Sequence, residues 1–222
     1  MTIWSNFLPA KCLPDNCDCE FVRDALIAQP SAFWSSFAYI ILAFVLYGMV
    51  EKKTLTLKLW TMSFVLLGLC SLFAHASFIE FAMAMDFAGI ILVLSFFFMI
   101  KFMIKWIATP WKITVLLLCY QGGLWMTFYS LDKWFKVSIC VVIFLFAIVE
   151  ILHAEGREFY KARELHWALV ILFGSFGFFL FDELRISCDP FTWFQGHSIW
   201  HIGTATALFL YGKWRLRVSP PV

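Results

Sequence analysis

The feature that most constrains this chain is a series of seven apolar windows, each close in length to a membrane-spanning helix. Such a helix needs about 20 predominantly apolar residues to cross the hydrocarbon core of a bilayer. Short connections separate the windows, which cover residues 32–50, 59–78, 84–104, 113–131, 134–152, 165–182 and 197–213. We therefore predict an all-α integral membrane protein whose fold is a seven-transmembrane helix bundle.

Composition supports a chain that buries its surface in a lipid bilayer. Apolar residues make up 62% of the chain and charged residues 14%, whereas soluble domains average about 45–50% and 25%. The formal net charge is +2, and no basic run is interleaved with aromatic residues, so no nucleic-acid partner is expected. The windows divide the chain into an extramembrane N-terminal segment (1–31), a seven-span domain (32–217) and a short C-terminal tail (218–222).

The distribution of basic residues predicts the orientation. With the N-terminus outside or in a lumen and the C-terminus in the cytoplasm, twelve lysines and arginines lie inside and five outside. That bias follows the positive-inside rule. The sequence is compatible with a bacterial inner membrane and with an endoplasmic reticulum or Golgi membrane, and it leaves the oligomeric state open.

Four cysteines fall on the predicted outer side, where disulfides persist: Cys12, Cys17, Cys19 and Cys188. Four cysteines allow three complete pairings, and the sequence does not choose among them. Free thiols are the alternative.

Five polar side chains are predicted to meet at the outer end of the bundle. Ser71 and His75 end the second span, and His197 and His201 begin the last one. Each pair is spaced i, i+4 and shares a helix face. Asp86 lies in the first turn of the third window. Because polar groups at membrane depth are costly, their coincidence at one end indicates a functional site.

The residue types point to metal-dependent hydrolysis. Three histidines bind Zn²⁺ and leave a fourth coordination position open, which is the pattern of catalytic zinc sites. Asp86 would serve as general base. Ser71 would donate a hydrogen bond to the oxyanion that forms at the substrate carbonyl. From the residues alone, we expect a metal-dependent hydrolase acting within a lipid-accessible pocket.

Each of these residues also has a structural interpretation. His75 can be a core histidine bonded to a main-chain carbonyl, and Asp86 can cap the third helix. Ser71 can donate to the carbonyl four residues back. At the level of the whole protein, the alternative is a seven-helix receptor or lipid-binding protein with a structural metal.

A transporter is a weaker alternative, because no span is visibly broken by paired glycine or proline at mid-membrane. Gly122, Gly123, Gly174 and Gly177 are instead interpreted as sites of close helix packing.

The order and spacing of these motifs resemble the alkaline ceramidase family. That family belongs to a superfamily of seven-helix membrane hydrolases that also contains adiponectin receptors and GPI-anchor lipid-remodelling enzymes. The motifs that carry the resemblance are Ser71-Leu-Phe-Ala-His75, Asp86, His197-Ser-Ile-Trp-His201, Cys19-Glu20, Gln29-Pro30, Phe33-Trp34, and Phe181-Asp182-Glu183 with Cys188.

The resemblance implies a zinc amidase that cleaves ceramide, or a ceramide-like membrane lipid, into a sphingoid base and a fatty acid. Hydrolysis of a lipid ester, as in the phospholipase-like relatives, is the close variant. The family's features carry over residue by residue: zinc ligands onto His75, His197 and His201, serine and aspartate onto Ser71 and Asp86, and a lumenal disulfide onto Cys19 and Cys188. Ala32 stands where some members have a calcium-binding glutamate, so calcium is doubtful.

Overall fold

The structure is a computed structural model that describes residues 3–10, 18–106, 109–132, 163–186 and 188–218, together with isolated positions between 135 and 148. Within these residues it contains six α-helices and no β-strand. The helices are α1 (Pro30–Met49), α2 (Leu55–Ser77), α3 (Glu80–Trp106), α4 (Pro110–Ser130), α5 (Arg163–Glu183) and α6 (Gly196–Val218).

The six helices coincide with six of the predicted windows, which confirms an all-helical fold. The fifth window, 134–152, lies outside the described residues except at isolated positions. Among the described helices, α1, α2 and α5 are long and apolar enough to cross a membrane. Several helices extend beyond their windows, among them α2, which begins at Leu55, and α6, which ends at Val218. The extension that matters for the site is that of α3, which begins at Glu80, so Asp86 lies in its second turn rather than its first.

Local chemistry explains where the helices begin and end. Pro30 stands in the first turn of α1, where its missing N–H costs nothing. Thr54 caps α2 by accepting a hydrogen bond from the main-chain nitrogen of Leu57 at 3.2 Å. Phe78 ends α2 in the left-handed region, at φ 52°. This turn joins α2 directly to α3 and keeps their polar residues at the same end of the bundle.

The helices pack in the spatial order α4, α3, α2, α1, α6 and α5, so that α1 and α2 lie near the middle. The core is built around large buried side chains of α2 and α3, among them Trp60, Phe64 and Phe96. Helix α6 approaches α5 closely at two glycines, because a Cβ on Gly196 would lie 2.3 Å from the main-chain oxygen of Phe178 and one on Gly203 would lie 2.3 Å from Ser175.

The predicted close-packing glycines do not meet another of the described helices. A Cβ added at Gly122, Gly123, Gly174 or Gly177 would meet no described atom within 4 Å. Sequence spacing alone therefore did not identify the glycines at which helices meet.

Candidate metal centre

Three histidines from two helices meet at one end of the bundle. His75 comes from the last turns of α2, and His197 and His201 come from the first two turns of α6. Their ring centroids are 4.7 to 4.9 Å apart. One nitrogen from each ring lies within 4.8 Å of the others. The structure thus brings together the three residues that the sequence singled out as ligands.

The surroundings of His75 determine which ring nitrogen faces the site. Its Nδ1 lies 2.8 Å from Oε1 of Gln29. The Nε2 atom is buried and has no hydrogen-bond partner among the described residues. A buried polar atom without a partner is costly. His75 therefore is not the core histidine bonded to a main-chain carbonyl that the sequence left open.

His201 has a corresponding arrangement on the opposite side of the site. Its Nδ1 lies 3.1 Å from the main-chain oxygen of Ala32, with the hydroxyls of Ser35 and Ser36 at 3.0 and 3.2 Å. A main-chain oxygen only accepts, so Nδ1 carries the proton and Nε2 presents a lone pair. The tautomer of His201 is thus set by the start of α1.

The third ring lies against the N-terminal segment. Nδ1 of His197 is 3.3 Å from Oδ2 of the buried carboxyl group of Asp18, within ion-pair distance. Nδ1 of His75 and Nδ1 of His201 thus face hydrogen-bond acceptors, and Nδ1 of His197 lies close to a carboxyl group. Metal-bound histidines in proteins are oriented in this way.

These residues fit a zinc ion. Neutral imidazoles bind zinc at about 2.0–2.1 Å, and three histidines form the ligand set of one group of catalytic zinc sites. Two observations support the fit: the unpartnered Nε2 of His75 and the convergence of the three rings. In the described part of the chain, this group contributes three ligands, which leaves the fourth zinc position available.

Ser71 and Asp86 lie beside the histidines and are joined to them through hydroxyl groups. Ser71 hydrogen-bonds to Asp86, and its Oγ lies 3.0 Å from Oγ of Ser36, which contacts His201. By contrast, Ser63 and Ser77 of the same helix donate to carbonyls four residues back. The contacts of Ser71 thus run between helices.

The position of Asp86 disagrees with a capping role. It is buried, and the first turn of α3 lies N-terminal to it, at Glu80. Orphan N–H groups occur only in the first turn of a helix. Its carboxyl group is therefore available for interactions within the site.

The predicted Cys19–Cys188 disulfide is present, whereas Cys12 and Cys17 lie outside the described residues. The bridge connects the N-terminal segment to the segment that precedes α6. Asp182 strengthens the same junction, because its carboxylate accepts from the main-chain nitrogens of Cys19 at 3.2 Å and Gly196 at 3.1 Å. Together these links place Asp18 against His197.

Burial acts on two acidic groups of the N-terminal segment, Asp18 and Glu20. It raises the pKa of Asp18 well above its usual range, the carboxylates of Asp182 and Glu183 act in the same direction, and the amide of Gln29 opposes them. Burial also raises the pKa of Glu20, against two main-chain N–H groups that stabilise its carboxylate. Those donors are Ser31 at 2.6 Å and Ala32 at 3.0 Å, so Glu20 caps α1.

Sequence reasoning did not assign roles at the site to Asp18, Gln29, Ser35 or Ser36. Of these four residues, only Gln29 belongs to one of the motifs named above, Gln29-Pro30. The one available signal was a run of small polar residues at the start of an apolar span, where such groups are unusual.

An apolar cavity lies next to the metal centre. Its lining includes Tyr39, Trp200 and Thr204, with apolar side chains from α2, α3, α5 and α6. Trp200 and Thr204 flank His201 on α6, and the ring centroid of Tyr39 is 5.8 Å from that of His201. The cavity therefore lies in the apolar interior beside His201, and its lining comes within one residue of that histidine on α6.

Comparison of this chain with known protein families, curated proteins and solved structures found no match.

Proposed function

We propose that this protein is a zinc-dependent membrane hydrolase that cleaves a lipid amide, with a ceramide-like lipid as substrate. The observation that carries the proposal is the convergence of the three histidines, with one nitrogen of each ring within 4.8 Å of the others and the buried Nε2 of His75 without a hydrogen-bond partner among the described residues. The apolar cavity beside them supports a lipid substrate. The three-ligand set supports an open, catalytic centre over a structural one.

The side chains around the centre would divide the chemistry among them. Zinc, when bound, supplies Lewis-acid chemistry that polarises a carbonyl and activates water. Asp86 takes the proton of the attacking water and returns it to the leaving nitrogen. Ser71 donates a hydrogen bond to the carbonyl oxygen as negative charge develops there and keeps its proton. Ser36 and Ala32 hold the ring of His201 during these steps.

The cavity offers an argument for an amide over an ester. Thr204 donates its hydroxyl proton to the main-chain oxygen of Trp200 at 2.6 Å. Tyr39 must therefore be the donor in its 2.6 Å hydrogen bond to Thr204. The Tyr39 oxygen keeps free lone pairs in an otherwise apolar cavity. An amide N–H or a lipid hydroxyl satisfies such an acceptor, whereas an ester group has no proton to donate.

We further propose that the fifth window completes a bundle of seven spans, with the N-terminus outside and the C-terminus in the cytoplasm. The basic residues of the sequence support this orientation. The position of the disulfide at the same end as the metal centre supports it as well, because disulfides persist on the outer or lumenal side.

The decisive experiment incubates purified protein with a mixed lipid pool that contains ceramides, phospholipids and acyl amides. Released fatty acids and their partner products are followed by mass spectrometry. We expect fatty acid and sphingoid base to appear with the wild-type protein and not with His201→Ala. The control is His166→Ala, which removes a histidine from α5 and should keep activity.

Other outcomes would point elsewhere. Release from phospholipids alone would indicate a lipid-ester hydrolase. No release from any lipid, with zinc bound at one per chain, would contradict the hydrolase and favour a receptor with a structural metal. Matched amide and ester substrates test the role of Tyr39, since Tyr39→Phe should slow amide hydrolysis more than ester hydrolysis.

A further inference from the structure

Gln29 is a fully buried amide that lies between a carboxyl group and one of the three histidines. Its Nε2 atom contacts Oδ1 of Asp18 and lies 3.3 Å from the main-chain oxygen of Glu20. Since a main-chain oxygen can only accept, this end of the amide must be the amino group. The other end, Oε1, is therefore an acceptor for His75, whose Nδ1 lies 2.8 Å away.

We propose that Gln29, backed by Asp18, is a positioning residue that fixes the Nδ1–H tautomer of His75 and thereby sets the zinc affinity of the centre. The inference rests on the proposed zinc centre but concerns metal binding rather than hydrolysis. A neutral histidine binds metal only through its unprotonated nitrogen. An acceptor held rigidly at Nδ1 selects the tautomer that leaves Nε2 free for the metal.

Asp18 also lies close to a second of the three histidines, His197. One carboxyl oxygen faces Gln29, and the other lies 3.3 Å from Nδ1 of His197. One carboxyl group of the N-terminal segment thus lies close to His197 and also contacts the amide that faces His75. Cys19, the next residue, is tied by its disulfide to the segment before α6. The third histidine relies instead on the main-chain oxygen of Ala32.

Gln195 provides a matched control for Gln29. It is also a buried glutamine at the same end of the molecule. Its Nε2 atom donates to the main-chain oxygens of Asp189 at 2.9 Å and Thr192 at 2.8 Å, within its own loop. Replacing either glutamine by methionine removes buried hydrogen bonds while keeping the length of the side chain, so both variants should lose stability.

The test measures the zinc dissociation constant by chelator competition for wild type, Gln29→Met and Gln195→Met in the same detergent. We expect Gln29→Met to weaken zinc binding by about 10–100-fold, as does loss of other groups that orient a ligand. We expect Gln195→Met to bind zinc like the wild type. In zinc-free protein, the nitrogen-15 shifts of His75 should show the Nδ1–H tautomer in wild type and a mixture in Gln29→Met.

A second pair of variants tests the same role if Gln29→Met does not fold. Gln29→Glu puts two carboxyl groups in contact and should weaken zinc binding. Adding Asp18→Asn should restore it, because the asparagine amide donates to the new carboxylate and its oxygen still faces His197. The new carboxylate still accepts from His75. A double variant that binds zinc no better than Gln29→Glu would contradict the positioning role of Gln29 and Asp18.

The outcomes separate this inference from the proposed function. A wild-type protein that binds no zinc would overturn both the proposed metal centre and the positioning role of Gln29. Equal zinc affinity in wild type and Gln29→Met, with unchanged nitrogen-15 shifts of His75, would overturn the positioning role of Gln29 alone. Weakened zinc binding in Gln29→Met would support the positioning role of Gln29 even if no lipid were hydrolysed.

Discussion

Helices α2 and α5 have the same mean hydropathy, 1.7, and very different surroundings: 61% of the apolar window of α2 is buried, against 17% in α5. Helix α2 packs between α1 and α3, whereas α5 turns large apolar side chains outward, among them Trp167, Val170 and Phe173. Hydropathy reports whether a helix suits a membrane and does not report whether its neighbours are lipid or protein. Both helices bury polar groups: Ser71 and His75 of α2 lie at the candidate metal centre, whereas Ser175 and Asp182 of α5 bond to main-chain groups.

The comparison is sharpest for the histidine in each helix. His75→Ala removes a ligand, so we expect bound zinc to fall well below one per chain and hydrolysis to fall to the blank. His166→Ala in α5 should keep both. Metal analysis of the purified variants checks the expectation, and a full complement of zinc in His75→Ala would remove α2 from the metal centre.

Substitutions of the buried aspartates of α3 and α5 should have different effects, one on turnover and the other on stability. Asp86→Asn removes the proposed general base, so turnover should fall by about 10²–10⁴-fold while zinc stays bound. Asp182→Asn loosens the junction with Cys19 and Gly196, so thermal stability should fall while turnover per bound zinc changes little. Turnover and zinc content measured on the same samples test both. Full activity in Asp86→Asn would rule out its role as base.

Serine offers a third matched pair. Ser71→Ala removes a donor to the developing oxyanion and should lower turnover by about 10²–10³-fold with little change in substrate affinity. Ser175 of α5 donates to the main-chain oxygen of Leu172 at 3.0 Å, within its own helix, so Ser175→Ala should keep wild-type turnover. Steady-state kinetics decide the matter, and equal rates for the two variants would return Ser71 to a packing role.

The smallest effect on turnover, and a large one on stability, is expected from phenylalanine. Phe64 of α2 is fully buried and Phe178 of α5 is 47% exposed. Phe64→Ala leaves a cavity and should lower the free energy of unfolding by about 3–5 kcal/mol. Phe178→Ala should change it little. Unfolding in mixed micelles measures both, and similar losses would show that α5 is covered by protein.

Much of the fold was predictable because span length and polarity are local properties of the chain. Six windows matched helices, and the residues proposed as ligands met as expected. The start of α3 was missed because Glu80 made its first turn look polar, although that turn docks on the N-terminal segment, with the main-chain nitrogen of Glu80 3.0 Å from the main-chain oxygen of Leu8. The packing glycines were missed because their role depends on which helix lies opposite.

The roles of Gln29 and Asp18 could not be predicted for the same reason. Neither residue belongs to a metal-binding motif, and Gln29 reaches His75 across 46 positions of sequence. The choice of tautomer, which decides whether a histidine presents a lone pair, depends on such distant partners.

By itself, the sequence determined that this chain is helical, that it is suited to a membrane, and which polar residues lie near the ends of its spans. Those properties follow from apolar length and helical period, which neighbouring residues set. The spacing of the cysteines left their pairing open, and only the resemblance implied the bridge that the tertiary structure contains. Only the tertiary structure decided which nitrogen of His75 and of His201 faces an acceptor, and which helix is buried. Each depends on contacts between distant segments, such as the 169-residue separation between Cys19 and Cys188.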